Sequence, residues 1–246
     1  MTDRLDQRIG TVWQALRDKR PSVHCITNHV VQNFTANLLL ACGAIPSMTT
    51  DHEEIADFVK AADGMLINLG TLDPDRKHAI TLALETLSPP QRFVLDPVFI
   101  ERSPHRLNFA RTLLKARPAI IRCNEAEAHV LQHDLSSLPH TVLALSGPVD
   151  RVITPATTLS VRHGHPYAAL VTGGGCALSA LMSALLAVEP DAALAAVTAF
   201  AAYGIAQEIA AQDAEGPASF ALRLVDALHH LTAERLRYDF KKWEQQ

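Results

Sequence analysis

The chain has 246 residues, 48% of them apolar and 20% charged, with a net charge of −4. That apolar fraction excludes a disordered chain, and the length suffices to bury a core without disulfides or metal. The acidic balance and an aromatic content of 5% exclude a basic or base-stacking nucleic-acid platform.

In chain order, Leu5, Ile9, Val12, Trp13 and Leu16 share one face of a helix over 3–19, which Pro21 ends. Val23–Ile26 reads as a short strand. His29–Cys42 reads as an apolar helix with Gly43 at its C′ position. Thr50-Asp51-His52-Glu53 has the form of a capping box for a further helix. Gly64–Leu69 is a buried strand, and Asp73-Pro74 supplies an N-cap and an N1 proline for a helix to about Leu87. Strands follow at Arg92–Leu95 and Ala119–Ile121, then a helix capped by Asn124 to about Leu131, then a strand at Thr141–Leu145. This alternation implies right-handed βαβ crossovers and a mostly parallel sheet covered on both faces.

Residues 149–170 break the alternation with β-branched runs and turn signals, so a hairpin is expected there. After Gly175 the chain reads as Ala-rich helix to about residue 235, interrupted at Gly216-Pro217. No linker, repeat or low-complexity stretch is visible, so residues 1–246 read as one domain.

The opening residues are polar rather than leader-like, and no apolar run reaches the roughly 18 residues of a membrane span. No membrane partner is expected. Cys25, Cys42, Cys123 and Cys176 form no C-x-x-C pair, which fits reduced thiols in the cytoplasm. His163 with His165, and His229 with His230, lack a third ligand at metal spacing, so zinc is not expected.

Polar residues gather where strands end, at Asn28, Asn68, Asp96, Asn124 and Ser146. Ligands of open α/β sheets bind outside those carboxyl ends. The sharpest local feature is Gly173-Gly174-Gly175-Cys176, directly before a long apolar helix. Glycines permit close backbone approach, and a helix N-terminus adds free N–H donors and a positive dipole end. The loop reads as an anion site or as a plain strand-to-helix turn. Cys176, in the first helical turn, reads as a thiol of lowered pKa able to act as base or nucleophile, or as a small buried hydrophobe. Arg122 can hold phosphate oxygens. Asn124 is an N-cap or a ligand contact. Asp96 and Glu127 are caps or solvated acids, or the one or two carboxylates that a phosphate-bound magnesium ion needs.

Several stretches together carry a resemblance. They are Val23–Asn28 (VHCITN), Asn33–Asn37, Gly43–Met48 (GAIPSM), Ile67–Thr71, Leu95–Val98, Ile121–Glu127, the glycine loop with Cys176, and Glu215–Phe220. In this order, from about residue 12 onward, the sequence resembles the hydroxyethylthiazole kinases of thiamine salvage, a branch of the ribokinase-like kinases.

The resemblance implies a three-layer α/β/α fold with a mostly parallel central sheet. It implies transfer of the ATP γ-phosphoryl to the hydroxyl of 4-methyl-5-(2-hydroxyethyl)thiazole, with Mg2+ as cofactor. It also implies a homotrimer with sites at subunit interfaces. Carried onto this sequence, it puts Asn28, Met48, Gly70, Thr71 and Gly173 around the thiazole. Arg122, Asn124, Ser146, Gly147, Gly174 and Gly175 fall on ATP and its phosphates, and Asp96 and Glu127 on the metal. Cys176 occupies the place of the catalytic aspartate of ribokinase relatives. The sequence departs from the family in four places. Gly174 replaces a threonine, and Cys123 replaces a glycine after the arginine. Phe99-Ile100-Glu101-Arg102 replaces a glycine-bearing run, and the stretch between Asn124 and Ser146 is shorter by about one helix. Two other readings stay open: a kinase for another small alcohol, and a non-catalytic ligand-binding member of the family.

Overall fold

A computed structural model describes residues 4–88 and 92–244. All eight strands form one sheet in the order β2-β1-β3-β4-β5-β6-β7-β8. They are β1 Ser22–Ile26, β2 Ile45–Ser47, β3 Gly64–Asn68, β4 Phe93–Asp96, β5 Ile120–Asn124, β6 Val142–Ser146, β7 Asp150–Ile153 and β8 Thr158–Val161. Strands β1 to β6 pair in parallel, whereas β7 and β8 are antiparallel. The expected hairpin is thus the β7–β8 edge. Strand β2 carries Pro46 and only three residues, too short for the periodicity to signal, and it forms the opposite edge.

Two apolar clusters cover the two faces. One gathers residues of α1 (Leu5–Lys19), α2 (Gln32–Cys42), α7 (Gly174–Val188), α8 (Ala192–Gln212), α9 (Pro217–His230) and α10 (Ala233–Glu244). The other gathers residues of α3 (Ile55–Ala61), α4 (Pro74–Thr86), α5 (Pro104–Leu114) and α6 (Glu125–Leu135). Strand residues alternate between the clusters, Leu66 and Val94 facing the first, Ile67 and Leu95 the second. This is a three-layer α/β/α architecture. Among the described residues, α8 alone is long and apolar enough to cross a membrane, and 78% of its apolar window is buried inside the molecule.

Local chemistry explains most boundaries. Asp73 accepts the Arg76 N–H at 2.8 Å, and Pro74 opens α4. Gly43, at φ 95°, ends α2. Helix α1 ends at Lys19, two residues before Pro21, with a left-handed Arg20 at φ 48° between them.

Three sequence expectations need correction. The helix expected from His29 starts at Gln32, after a turn in which Val31 N–H donates to the Asn28 carbonyl at 3.2 Å. Thr50–Glu53 is not a capping box. Asp51 bonds its own Glu53 N–H at 2.8 Å, Thr49 pairs with Glu54, and α3 begins only at Ile55. The segment closes as an Asx turn because Asp51 finds its donor two residues on. The Ala-rich region breaks at Pro190 and Thr232 as well as at Gly216.

Candidate active site

Sheet order sets the layout of the site. Reading along the carboxyl edge from β2 to β6, the strand ends present Met48, Asn28, Asn68, Asp96, the stretch Arg122–Asn124 and Ser146. Residues that the resemblance put on thiazole fall at one end, and those it put on nucleotide at the other. Helix α7 packs against β1, β3 and β4, which brings its N-terminus to the middle of that edge.

The glycines of this N-terminus have separate reasons. Gly173 caps α7 at φ 86°, a left-handed conformation that costs an L-residue about 1–2 kcal/mol. A Cβ there would also stand 2.5 Å from Val31 Cγ1. The Gly174 carbonyl accepts from the Tyr203 hydroxyl at 2.9 Å, which pins the turn. At Gly175 a Cβ would lie 2.6 Å from Arg122 Nη1, so glycine admits the guanidinium against the helix end. The first turn leaves the N–H groups of Gly175 and Cys176 without intrahelical acceptors. A guanidinium beside two free N–H groups and a helix dipole is an anion site, which favours that reading of the loop over a plain turn.

Arg122 Nη2 donates to Ser146 Oγ at 2.8 Å, and Nη1 lies 3.9 Å from Asp96 Oδ2. Beyond it, Ser146, Gly147, Asp150, His165 and Gln207 line a cleft of about 650 Å3, together with Gly174 and Gly175. Arg162 also lines it. The sequence reading missed Asp150, Arg162, His165 and Gln207, whose roles depend on the packing of the hairpin against α8. Gln207 Oε1 accepts the His165 N–H at 3.1 Å. Burial pushes the Asp150 carboxyl up to about 6, against the pull of the Gly147 N–H. Deprotonation as pH rises through that value therefore adds negative charge to the cleft.

Asp96 is fully buried. Its Oδ2 accepts from Ser179 Oγ at 2.7 Å and Asn68 Nδ2 at 2.9 Å, and its Oδ1 has no partner. Burial pushes its carboxyl above the ordinary range, while Arg122, Ser179 and Asn68 pull it down. Glu127 is buried as well, but both of its oxygens are engaged. Oε2 accepts the Asn124 N–H at 2.9 Å and Oε1 the Phe99 N–H at 2.7 Å. Asn124 in turn accepts the Glu127 N–H at 2.9 Å, which completes a capping box at the start of α6. Burial and the neighbouring Asp96 both raise the Glu127 carboxyl.

On the acceptor side, Asn28 Nδ2 lies 3.2 Å from Asn68 Oδ1 and 3.7 Å from Cys176 Sγ. Gly70 N–H donates to Asn68 Oδ1 at 3.0 Å, and a Cβ on Gly70 would come within 2.8 Å of Asn28 Nδ2. Arg76 fixes this turn from behind, bonding the carbonyls of Asn68, Gly70 and Thr71. Thr71 sits at φ 44°. Met48 packs, partly buried, against the larger core cluster. The structure thus brings Asn28, Gly70 and Cys176 together. It joins Arg122, Ser146, Gly147, Gly174 and Gly175 in the cleft, and uses Asn124 as a cap.

The expected lowering of the Cys176 pKa is corrected. Its thiol is pushed up to about 12, first by burial and then by the charge of Asp96, against hydrogen bonds from Asn68 and Asn28 and the charge of Arg122. Desolvation of the thiolate outweighs the helix dipole, so Cys176 carries its proton at neutral pH.

The mostly parallel sheet with an antiparallel edge and an anion cleft at its carboxyl edge is the ribokinase-like fold. A ribokinase-like superfamily protein from Enterococcus faecalis shares the fold, with TM-score 0.64 and 14% identity over 86% of this chain and 88% of that one. The chain belongs to the hydroxyethylthiazole kinase family, whose model matches residues 13–138 and 132–234. The two matched segments meet in the α6–β6 connection, the stretch read as shortened. The chain is 42% identical to the "Probable hydroxyethylthiazole kinase" of Agrobacterium fabrum over 228 residues, 92% of this chain and 91% of that one. It is 39% identical to the hydroxyethylthiazole kinase of Granulibacter bethesdensis, over 97% and 95% of the two chains. The solved hydroxyethylthiazole kinase protein of Pyrococcus horikoshii OT3 superposes with TM-score 0.87 at 33% identity, covering 93% and 95%.

Proposed function

We infer that this kinase transfers the γ-phosphoryl of ATP to the primary hydroxyl of 4-methyl-5-(2-hydroxyethyl)thiazole. The observation that carries the reading is the layout of the carboxyl edge. A polar cluster of Asn28, Gly70 and Cys176, read as the acceptor side, and a cleft lined by Arg122, Ser146 and Gly147, read as the nucleotide side, flank one helix N-terminus. Thr71 and Met48 complete the acceptor side. Alcohol and phosphate meet over Gly175 and Cys176, where developing charge finds free N–H groups and Arg122. Phosphoryl transfer has a loose transition state, so alignment and charge stabilisation supply most of the catalysis. Cys176 acts as a base only in the small fraction that has first lost its thiol proton to solvent; that thiolate takes the hydroxyl proton late in transfer and is a neutral thiol again afterwards.

The residues present fit a phosphate-bound magnesium ion. Asp96 Oδ1 is a buried oxygen with no donor, and the Asp96 and Glu127 charges oppose each other. Asp96 would hold the ion, with Glu127 reached through water, because both Glu127 oxygens already accept backbone N–H groups. Magnesium when bound would neutralise phosphate charge. Glu127→Gln keeps one acceptor and turns the other toward an N–H as a donor. If the residue acts chiefly as cap and clamp, the variant melts lower by about 1–2 kcal/mol with its magnesium dependence unmoved. A higher magnesium requirement without loss of stability would make it a ligand instead.

The whole chain acts as one kinase domain, since a single sheet joins all eight strands. It assembles as a homotrimer. Exposed Val30, Leu40, Ile45 and Phe58 on and around the short β2 edge supply an apolar face for the contact. The test is ADP release by the purified protein with ATP, magnesium and the thiazole alcohol, against a blank without alcohol. Alcohol-dependent turnover is expected. Turnover with another alcohol only, or none, would overturn the substrate reading.

A further inference from the structure

Asn68 is the last residue of β3 and pairs in register with Asp96 at the end of β4. It is fully buried, and its side-chain amide serves three neighbours. Oδ1 accepts from Asn28 Nδ2 at 3.2 Å and from the Gly70 N–H at 3.0 Å, while Nδ2 donates to Asp96 Oδ2 at 2.9 Å. Arg76 Nη2, held at 2.6 Å, fixes its main-chain carbonyl.

This network admits one amide orientation. Turned over, the NH2 group would face two N–H donors, and the oxygen would face a carboxylate. The orientation of Asn68 in turn decides that of Asn28, whose NH2 must point at Asn68 Oδ1 and so also at Cys176 Sγ. One buried amide therefore connects Asn28 and Gly70, through Asn28 the thiol, and the carboxylate that sits beside Arg122.

We propose that Asn68 is a positioning residue for phosphoryl transfer, holding Asn28, Cys176 and Asp96 in one fixed arrangement so that alcohol and phosphate stay aligned. It touches no substrate and acts through those three side chains. The proposal rests on the kinase reading for its role in turnover, but the arrangement itself is measurable without substrate.

The experiment uses Asn68→Ala and Asn68→Asp in the full-length protein. Each is checked for a cooperative melt, and Asn68→Asp serves if the alanine variant does not fold. Iodoacetamide reports Cys176, because the other three cysteines are buried and Cys176 is partly exposed. Thiolate is the reacting form. Loss of the Asn68 oxygen frees the Asn28 amide, whose Nδ2 lies 3.7 Å from Cys176 Sγ, and should slow alkylation at fixed pH by about tenfold. Asn68→Asp adds a charge and should slow it at least as much. A merely structural role would loosen the site and speed alkylation, so faster or unchanged alkylation in a folded variant overturns the proposal. With ATP and the thiazole alcohol, kcat should fall by about 100-fold with the KM for ATP held within about threefold, as expected for lost alignment. A rise in KM alone would also overturn it. Should the wild type fail to turn over that alcohol, the substrate reading falls while the alkylation result still decides the role of Asn68.

Discussion

Cys176→Asp is expected to keep phosphoryl transfer, whereas Cys176→Ala loses about 100-fold in kcat, the usual range for removal of a general base. The two substitutions differ in a way the site makes clear. The wild-type thiol is pushed up to about 12 by burial and by Asp96. Little thiolate exists at neutral pH, and its fraction grows tenfold with each unit of pH below that value. If the thiolate assists, kcat rises with pH between about 6 and 9. In Cys176→Asp the same burial and the Asp96 charge raise the carboxyl above its ordinary range, but it still ionises at lower pH than the thiol, so the rise in kcat moves to lower pH. In Cys176→Ala the rise disappears along with most of the rate. Equal rates in the two variants, measured by ADP release, would remove the base role and leave alignment and charge stabilisation as the whole of catalysis.

Arg122→Met is expected to lower kcat/KM for ATP by about 1000-fold, because it removes the charge facing the N-terminus of α7. Arg122→Lys should recover only part, since an ammonium cannot hold Ser146 and a phosphate with one planar fork. Stability should change too. Asp96 is buried with Arg122 as its nearest cation. Removing one partner of a buried pair costs about 3–5 kcal/mol, an upper bound here given the 3.9 Å separation. The Asp96 carboxyl already sits above its ordinary range, so the folded chain binds that proton more tightly than the unfolded chain does. Without Arg122 the shift grows, and the variant should lose stability as pH rises from about 4 toward neutrality. Adding Asp96→Asn should restore the melting temperature without restoring turnover. A melt of Arg122→Met that does not vary with pH would contradict the coupling.

Much of the sheet was legible because local signals agreed with the fold. Asp73-Pro74, Gly43 and Asn124 each meant locally what the structure makes of them. The failures share a cause: each depended on something distant in sequence. Thr50–Glu53 has the spelling of a cap, yet its side chains find nearer partners in the turn. Strand β2 exists only because β1 lies beside it. In the candidate site, the sequence pointed to Arg122, Asp96 and the glycine loop, which the structure brings side by side. It gave no sign of the cleft wall at Arg162, His165 and Gln207, which the hairpin and α8 assemble from 40 or more residues apart. The sequence puts Cys176 in the first turn of α7, where the structure has it, but does not show its ionisation, because a helix N-terminus is visible in sequence and burial beside Asp96 is not.

Val98 and Phe99 take left-handed backbone in succession, at φ 35° and 56°, where the family resemblance puts glycine or alanine at the second position. Such residues cost about 1–2 kcal/mol each. The turn is held by Glu127, which accepts the Phe99 N–H, and by Arg106, which donates to the Val98 carbonyl at 2.6 Å. Phe99 is therefore not free to vary on its own account. In lineages descended from this sequence, loss of Arg106 or Glu127 should be followed by return of glycine at position 99, and a lineage that regains the glycine first should tolerate drift at both supports. The three positions form one physically coupled unit, although they are spread over 29 residues of chain.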